Sequence, residues 1–246
     1  MKISIITVVL NNKNKISVAI DSVVKQTNAN IEYIVVDGGS SDDTPAVVKS
    51  YGTKVSKFIC EPDKGIYDAI NKGILISTGE VVGLLHSDDI FGNEQIISMI
   101  TEVFDNTRAD GVYGDLVYVN KENLNKVIRH WKSGPFKTSM LNRGWMPPHP
   151  TLFLKRKIFD NYGLYDTGFK ISSDYDFMLR IMSRPELKFE YLPQIITLMR
   201  VGGASNRSLK NIIRKSKEDL RALRKNKIGG WSALLMKNLS KIGQFF

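Results

Sequence analysis

The chain has 246 residues, 42% hydrophobic and 24% charged, with 35 Lys/Arg against 25 Asp/Glu and a formal net charge of +10. That balance excludes a disordered or fibrous chain and leaves room for one large α/β domain with an appendage. The single Cys60 excludes an internal disulfide, the three histidines have no cysteine partners for a zinc cluster, and no run reaches the roughly 18 apolar residues of a membrane span.

Charge is unevenly spread. From Arg207 to Phe246 there are 11 Lys/Arg and 2 Asp/Glu, a local +9, whereas residues 1–206 carry 24 and 23, only +1. The expected organisation is a nearly neutral body over 1–206, in two halves, 1–105 and 106–206. A basic helical tail over 207–246 follows.

The start, Met1-Lys2 and then Ile3 to Leu10, imitates a secretory leader. Its apolar run is short, contains Ser4 and Thr7, and enters Asn11-Asn12-Lys13 without a small-residue cleavage site, so it reads as a first strand of a cytoplasmic protein. Ile16, Ala19, Ile20, Val23 and Val24 recur at helical spacing on one face. Ile31 to Val36 reads as strand two. Thr44 followed by Pro45 reads as an N-cap and an N1 proline. Val55 to Cys60 is strand three, with Cys60 expected as a buried thiol. Tyr67 to Ile76 is a helix, Glu80 to Leu85 strand four, and Glu94 to Phe104 another helix. Strands alternating with helices across short turns specify a parallel, Rossmann-like sheet.

The second half is less regular. Gly111 to Val119 and Lys126 to Trp131 read as strands around a polar turn, Asn120 to Asn125. Thr151 to Leu154 is a short strand, Asp174 to Met182 a helix, and Phe189 to Arg200 a strand. In the tail, Leu209, Ile212, Ile213, Ser216, Leu220 and Leu223 line one helix face among many Lys and Arg. Gly229-Gly230 breaks that helix, and a second amphipathic piece runs from Trp231 to Phe246.

Acidic residues gather where strands end: Asp37 after strand two, Asp63 after strand three, Asp88 and Asp89 after strand four. Tips of neighbouring parallel strands share one edge, where open α/β sheets bind ligands. Carboxylates placed together there repel unless a cation or several donors compensate, and hard oxygens suit Mg2+ or Mn2+. Asp42 and Asp43 read as turn and cap residues. No G-x-G-x-x-G follows strand one and no Walker A run occurs, so a metal-held nucleotide-sugar fits better than a dinucleotide. The loop Arg143 to Pro150 offers Trp145 as an apolar face for a sugar ring and His149 as a hydrogen-bonding group. The alternative is a proline-stiffened loop with Trp145 packed beneath it. His86 and His130 read as structural.

Ser4-Ile5-Ile6-Thr7, Val36-Asp37-Gly38-Gly39-Ser40-Ser41-Asp42-Asp43-Thr44, Asp63-Lys64-Gly65-Ile66-Tyr67-Asp68-Ala69, Ser87-Asp88-Asp89 and Ser173-Asp174-Tyr175-Asp176 occur in this order. Together they resemble the bacterial family 2 inverting glycosyltransferases of GT-A fold, over about residues 2 to 205. The Asp-Lys-Gly-Ile-Tyr-Asp-Ala run is similar to enzymes of O-antigen and exopolysaccharide assembly, within lipopolysaccharide biosynthesis.

The resemblance implies roles at matching positions. Thr7, Val9 and Asn11 border the nucleotide, Asp37 bonds the uracil or ribose, Asp88 faces the ribose and donor sugar, and Asp89 holds the metal. Asp174 is the catalytic base. Val8 and Leu10 stand where the family has Pro and Tyr, and Ile70 where an Arg is common, so Lys64 is the substitute cation. Ser173 replaces the Glu of the family's Glu-Asp pair, which makes Asp176 a second base candidate.

The expectation is a Mn2+- or Mg2+-dependent hexosyltransferase. It takes sugar from a UDP-sugar to a lipid-diphosphate-linked saccharide, inverts the anomeric centre, and lies on an anionic membrane surface through its tail. A sugar nucleotidyltransferase lacks support because no Gly-rich, basic loop follows strand one. A nucleic-acid-binding module is the alternative reading of the tail.

Overall fold

A computed structural model describes residues 1–27, 30–202 and 209–239. The first half runs β1 (Ile3–Val9), α1 (Ile16–Val24), β2 (Ile31–Asp37), α2 (Thr44–Ser50), β3 (Lys57–Cys60), α3 (Ile66–Ile76) and β4 (Val81–Leu84). It continues through β5 (Ile90–Phe91) and α4 (Ile96–Asn106) into β6 (Gly111–Val119), β7 (Val127–Trp131), β8 (Phe153–Lys155) and α5 (Lys157–Tyr162). The last elements are α6 (Ser173–Met182), β9 (Phe189–Arg200), α7 (Leu209–Lys225) and α8 (Trp231–Leu239).

One sheet carries the order β3-β2-β1-β4-β8-β6-β9-β5, with β7 paired to β6. The four strands β3, β2, β1 and β4 are parallel. β4–β8, β6–β8, β6–β7 and β5–β9 are antiparallel, and β6–β9 is parallel. The architecture is therefore mixed α/β, with a parallel first half and a mostly antiparallel second half.

β1 and β4 are buried along their whole lengths, as their unbroken apolar runs require when both faces are covered. Successive residues of β1 serve opposite cores. Ile3, Ile5 and Val9 pack with α1 and α4, while Ile6 and Val8 pack toward α3, α6 and the C-terminal helices. Leu220, Ala222 and Leu223 of α7 and Ala233 and Leu234 of α8 belong to the same core as Tyr175 and Phe177 of α6.

Several local expectations change. Asp43, not Thr44, occupies the N-cap of α2. Thr44 is buried, donates its hydroxyl to Asp42 and accepts the backbone N–H of Asn12. Cys60 is exposed, because β3 is the edge strand and Cys60 its last residue. Val24 is exposed although the pattern puts it on the α1 core face. β5 and α5 are too short to show a period. The apolar stripe assigned to the first tail helix is split: Leu220 and Leu223 are buried, whereas Ile212 and Ile213 are exposed. The 206/207 boundary and residues 240–246 lie outside the described residues. Among the described residues no helix is long and apolar enough to cross a membrane.

Candidate active site

The register of β1 with β2 brings Val9 opposite Asp37, and β1 with β4 brings Ile6 opposite Leu84, so the acidic tips meet along one edge. Asp37 is fully buried; its Oδ1 accepts the backbone N–H groups of Gly39 (2.9 Å) and Ser40 (2.6 Å). Its Oδ2 has no hydrogen-bond partner. Next to it, a Cβ on Gly38 would run into the Asp63 carboxylate, so glycine is what lets Asp63 pack against the backbone that follows Asp37. Asp63 Oδ1 accepts the N–H of Gly65, which sits at φ +123° ahead of α3.

After β4 the chain turns through His86-Ser87-Asp88-Asp89. Asn12 donates its side-chain amide to Ser87, fixing that turn to the end of β1. Arg200, at the end of β9, donates its guanidinium to the carbonyls of Asp88 (3.0 Å) and Lys121 (2.7 Å), and its backbone N–H to Asp89 Oδ1 (3.3 Å). Asp89 is only 1% exposed and its Oδ2 is unpartnered. Burial, with the Asp88 charge second, holds its carboxyl well above the usual carboxylate range. Asp88 is half-buried.

Asp174 stands in the first turn of α6. Its Oδ1 accepts the N–H of Tyr175 (2.8 Å) and lies 3.2 Å from the hydroxyl of Tyr67 on α3. Tyr67 also stacks on Tyr165, whose hydroxyl lies 2.8 Å from His149 Nε2. His86 and His149 face each other at 6.3 Å between ring centroids. Burial lowers both imidazoles, that of His149 to about 4, against the opposing pull of Asp174 on each and of Asp88 on His86. His86 therefore lies in the fields of both the strand-four carboxylate and the α6 carboxylate. The strand-four tip and Asp174 thus meet around His86.

The remaining predicted residues divide. Asn11 is exposed at φ 50°, its Oδ1 accepting from Ser41 and its N–H donating to Ser40. Thr7 and Val9 have buried side chains, and Thr7 Oγ1 accepts from Tyr33. Lys64 is exposed beside the Asp63 turn. Trp145 is half-buried and stacked on Phe136 at 5.4 Å, with Tyr113 edge-on at 5.8 Å. The packed-loop alternative describes Trp145 better than a free sugar platform, and His149 spends its Nε2 on Tyr165. Asp176 is fully buried, and Arg180, Lys225 and Asn226 occupy both its carboxylate oxygens.

Three participants escape the sequence reading. Tyr67 and Arg200 read as helix and strand residues because nothing local marks a side chain that reaches across the fold. His86 reads as structural because its partners are far away in sequence.

Among the described residues no three His, Cys, Asp or Glu side chains gather as a metal centre. At the strand-four tip the buried Asp89 Oδ2 is left without a donor. That fits a hard cation whose other ligands come from a bound diphosphate.

The model of Glycosyl transferase family 2 matches residues 4–171. A PGL/p-HBAD biosynthesis glycosyltransferase of Mycobacterium bovis is 27% identical over 208 residues, 82% of this chain and 78% of that protein. An uncharacterized glycosyltransferase of Rickettsia typhi is 29% identical over 241 residues, 96% of this chain and 72% of that protein. S. aureus TarS 1–349 in complex with UDP-GlcNAc superposes with a TM-score of 0.71 at 17% identity, over 92% of this chain and 65% of that one. This chain spans 43% of the longer TarS chain. The mannosyltransferase PcManGT from Pyrobaculum calidifontis, in complex with GDP-Man and Mn2+, gives 0.68 at 16% identity, over 96% and 68%. These structural likenesses establish the GT-A fold, and the match across 4–171 establishes the lineage: the chain belongs to glycosyl transferase family 2.

Proposed function

We propose that this chain transfers a hexose from a UDP-sugar to a lipid-diphosphate-linked saccharide, with inversion, in assembly of a bacterial surface polysaccharide of the O-antigen or exopolysaccharide type. One observation carries the reading. Two buried carboxylates at the tips of the strands flanking β1, Asp37 and Asp89, each keep an oxygen unpartnered, and Asp174 acts with Asp88 of the strand-four tip on the buried His86. Leaving such atoms unsatisfied costs about 1–3 kcal/mol each, which a bound nucleotide and cation would recover.

Asp37 Oδ2 accepts from the nucleobase or ribose, with the Asn11 and Asp63–Lys64 turns around it. Asp88 faces the ribose and donor sugar, and Asp89 Oδ2 is the protein ligand of a Mn2+ or Mg2+. When bound, that cation neutralises charge on the diphosphate leaving group. Asp174 takes the proton of the acceptor hydroxyl as that oxygen attacks the anomeric carbon from the face opposite the diphosphate. The attacking oxygen forms the new glycosidic bond, the sugar–phosphate bond breaks, and UDP leaves. An α-linked donor therefore gives a β-linked product.

TarS solved with UDP-GlcNAc supports the uridine donor. PcManGT solved with GDP-Man makes a guanosine donor the comparison arm.

Exposed Ile212, Ile213, Trp231, Leu235 and Leu239 accompany Lys210, Arg214 and Lys217, which favours attachment of the tail to the cytoplasmic face of an anionic membrane.

The test is nucleotide release from UDP-Glc, UDP-Gal, UDP-GlcNAc and GDP-Man, each with a lipid-diphosphate GlcNAc acceptor. Acceptor-dependent UDP release from one uridine donor, reduced at least about 10²-fold by Asp174→Asn with donor affinity kept, is expected. Release only from GDP-Man, or an undiminished Asp174→Asn, would overturn the donor or the base respectively.

A further inference from the structure

Helix α6 begins without a cap of its own. Ser172 stands at its N-cap, yet makes no side-chain capping bond, and its Oγ is buried and unpartnered. The residues just before Asp174 nevertheless turn three successive backbone N–H groups toward one point. That point is occupied from another element. Glu218 of α7 accepts the N–H of Lys170 (3.1 Å), of Ile171 (2.8 Å) and of Ser172 (3.0 Å). Successive N–H groups in such a concavity form an anion nest, and charge-assisted bonds into it are roughly twice as strong as neutral ones. On its other side the same three residues are pinned by Tyr67, whose hydroxyl donates to the Ile171 carbonyl at 2.6 Å.

Further contacts hold α7 to α6. Lys225 and Asn226 bond the buried Asp176 carboxylate at 3.1 and 3.0 Å. Asp219, beside Glu218, pairs with Lys237 of α8 at 2.8 Å, and Lys237 lies over the Tyr175 ring. The basic C-terminal helices are thus bolted to the element that carries the base.

We propose that Glu218 is a positioning residue for Asp174: from the tail it anchors the Lys170–Ser172 segment that leads into α6 and so fixes where the Asp174 carboxylate stands. This rests on the reading of Asp174 as the base. Misplacing a catalytic group by about 1 Å costs on the order of 10²-fold in rate, so the tail contributes to turnover independently of any membrane contact.

The experiment is a double-mutant cycle on the full chain with a soluble acceptor analogue. The variants are Glu218→Ala, Asp174→Asn and the double variant, with UDP affinity by calorimetry and the thermal midpoint measured on each. Glu218→Ala is expected to lower kcat about 10- to 100-fold with UDP affinity unchanged. Added to Asp174→Asn, it is expected to lower the residual rate no further, because there is no base left to position. Should Glu218→Ala fail to fold, Glu218→Gln carries the same cycle. It keeps one acceptor oxygen and is expected to recover part of kcat. Equal losses from Glu218→Ala in both backgrounds, or an unaltered kcat beside an inactive Asp174→Asn, overturn the positioning role alone. Full turnover of Asp174→Asn overturns the base assignment and the positioning role with it.

Discussion

The hydroxyl of Tyr67 sits 2.6 Å from the Ile171 carbonyl and 3.2 Å from Asp174 Oδ1, so one side chain of the first half reaches both Asp174 and the loop that leads into it. Burial, with the Asp174 charge second, pushes the Tyr67 phenol far up, and it remains a donor at every working pH. Tyr67→Phe keeps the stack on Tyr165 and removes the donor. Turnover is expected to fall about tenfold while UDP affinity stays constant, since the loss is one of placement. A kcat equal to wild type would show that Asp174 is held by its α6 contacts alone.

The acidic edge is legible because it is local. Asp37, Asp63, Asp88 and Asp89 stand at the ends of apolar runs, and strand tips of a parallel sheet coincide by geometry. The tertiary relationships were not legible. Arg200 closes on Asp88 and Asp89 across 111 or more residues, and Glu218 reaches Ile171 across 47. Neither spacing leaves a periodic trace. The tail misled for a related reason. Its charge was visible, but which apolar residues it buries is decided by α6 and the 138–143 turn. The chosen stripe thus joined buried Leu220 and Leu223 to exposed Ile212 and Ile213. Trp145 stays open to both readings, because an aromatic in a proline-rich loop reads the same whether it faces a sugar or stacks on Phe136.

Asp89 supplies one unpartnered buried oxygen, and no other described acid or histidine gathers with it into a metal cluster. Mn2+ is therefore expected to bind weakly to the protein alone and much more tightly once UDP is present. Asp89→Asn preserves an acceptor for the Arg200 N–H but lacks the charge. Calorimetry with Mn2+ and UDP is expected to show at least about tenfold weaker ion binding in this variant, matching loss of one charged ligand. Equal Mn2+ affinity in wild type and variant would move the ion elsewhere.

His149 is buried, and burial lowers its imidazole from 6.5 to about 4. A depressed folded value means that the unfolded chain binds the extra proton first. The contribution is whole above about pH 6.5 and is lost as pH falls toward 4, with a swing on the order of 3 kcal/mol. His86 is shifted in the same direction. The thermal midpoint is expected to drop between pH 6.5 and 5, before most carboxylates titrate. His149→Gln, neutral throughout, is expected to flatten that slope. Parallel slopes in the two proteins would assign the acid sensitivity to other groups.

The tail presents its own measurable surface. Leu220, Ala222 and Leu223 are spent on the body, yet Ile213 is 57% exposed, Trp231 68% and Leu235 61%. Arg224 lies 6.0 Å from the Trp231 ring centroid, linking the open surfaces of α7 and α8. A groove lined by Lys210, Ile213, Arg214, Lys217 and Arg221 runs beside Glu218. Apolar side chains exposed beside several cations match an anionic lipid surface, where each Lys or Arg contributes about 1 kcal/mol and the attraction is screened within a Debye length. Co-sedimentation with phosphatidylglycerol vesicles is expected to be strong at low salt, weaker at high salt, and slight with phosphatidylcholine alone. Reversing Lys210, Arg214 and Lys217 to Glu leaves Glu218, Asp219 and Lys225 in place. It is expected to abolish vesicle binding while turnover of a soluble acceptor analogue is kept. Trp231→Ala with Leu235→Ala is expected to weaken binding at every salt concentration, since that share is apolar. If the charge-reversed protein still sediments, or binding to DNA exceeds binding to vesicles with a steep salt slope, the tail serves another partner than the membrane.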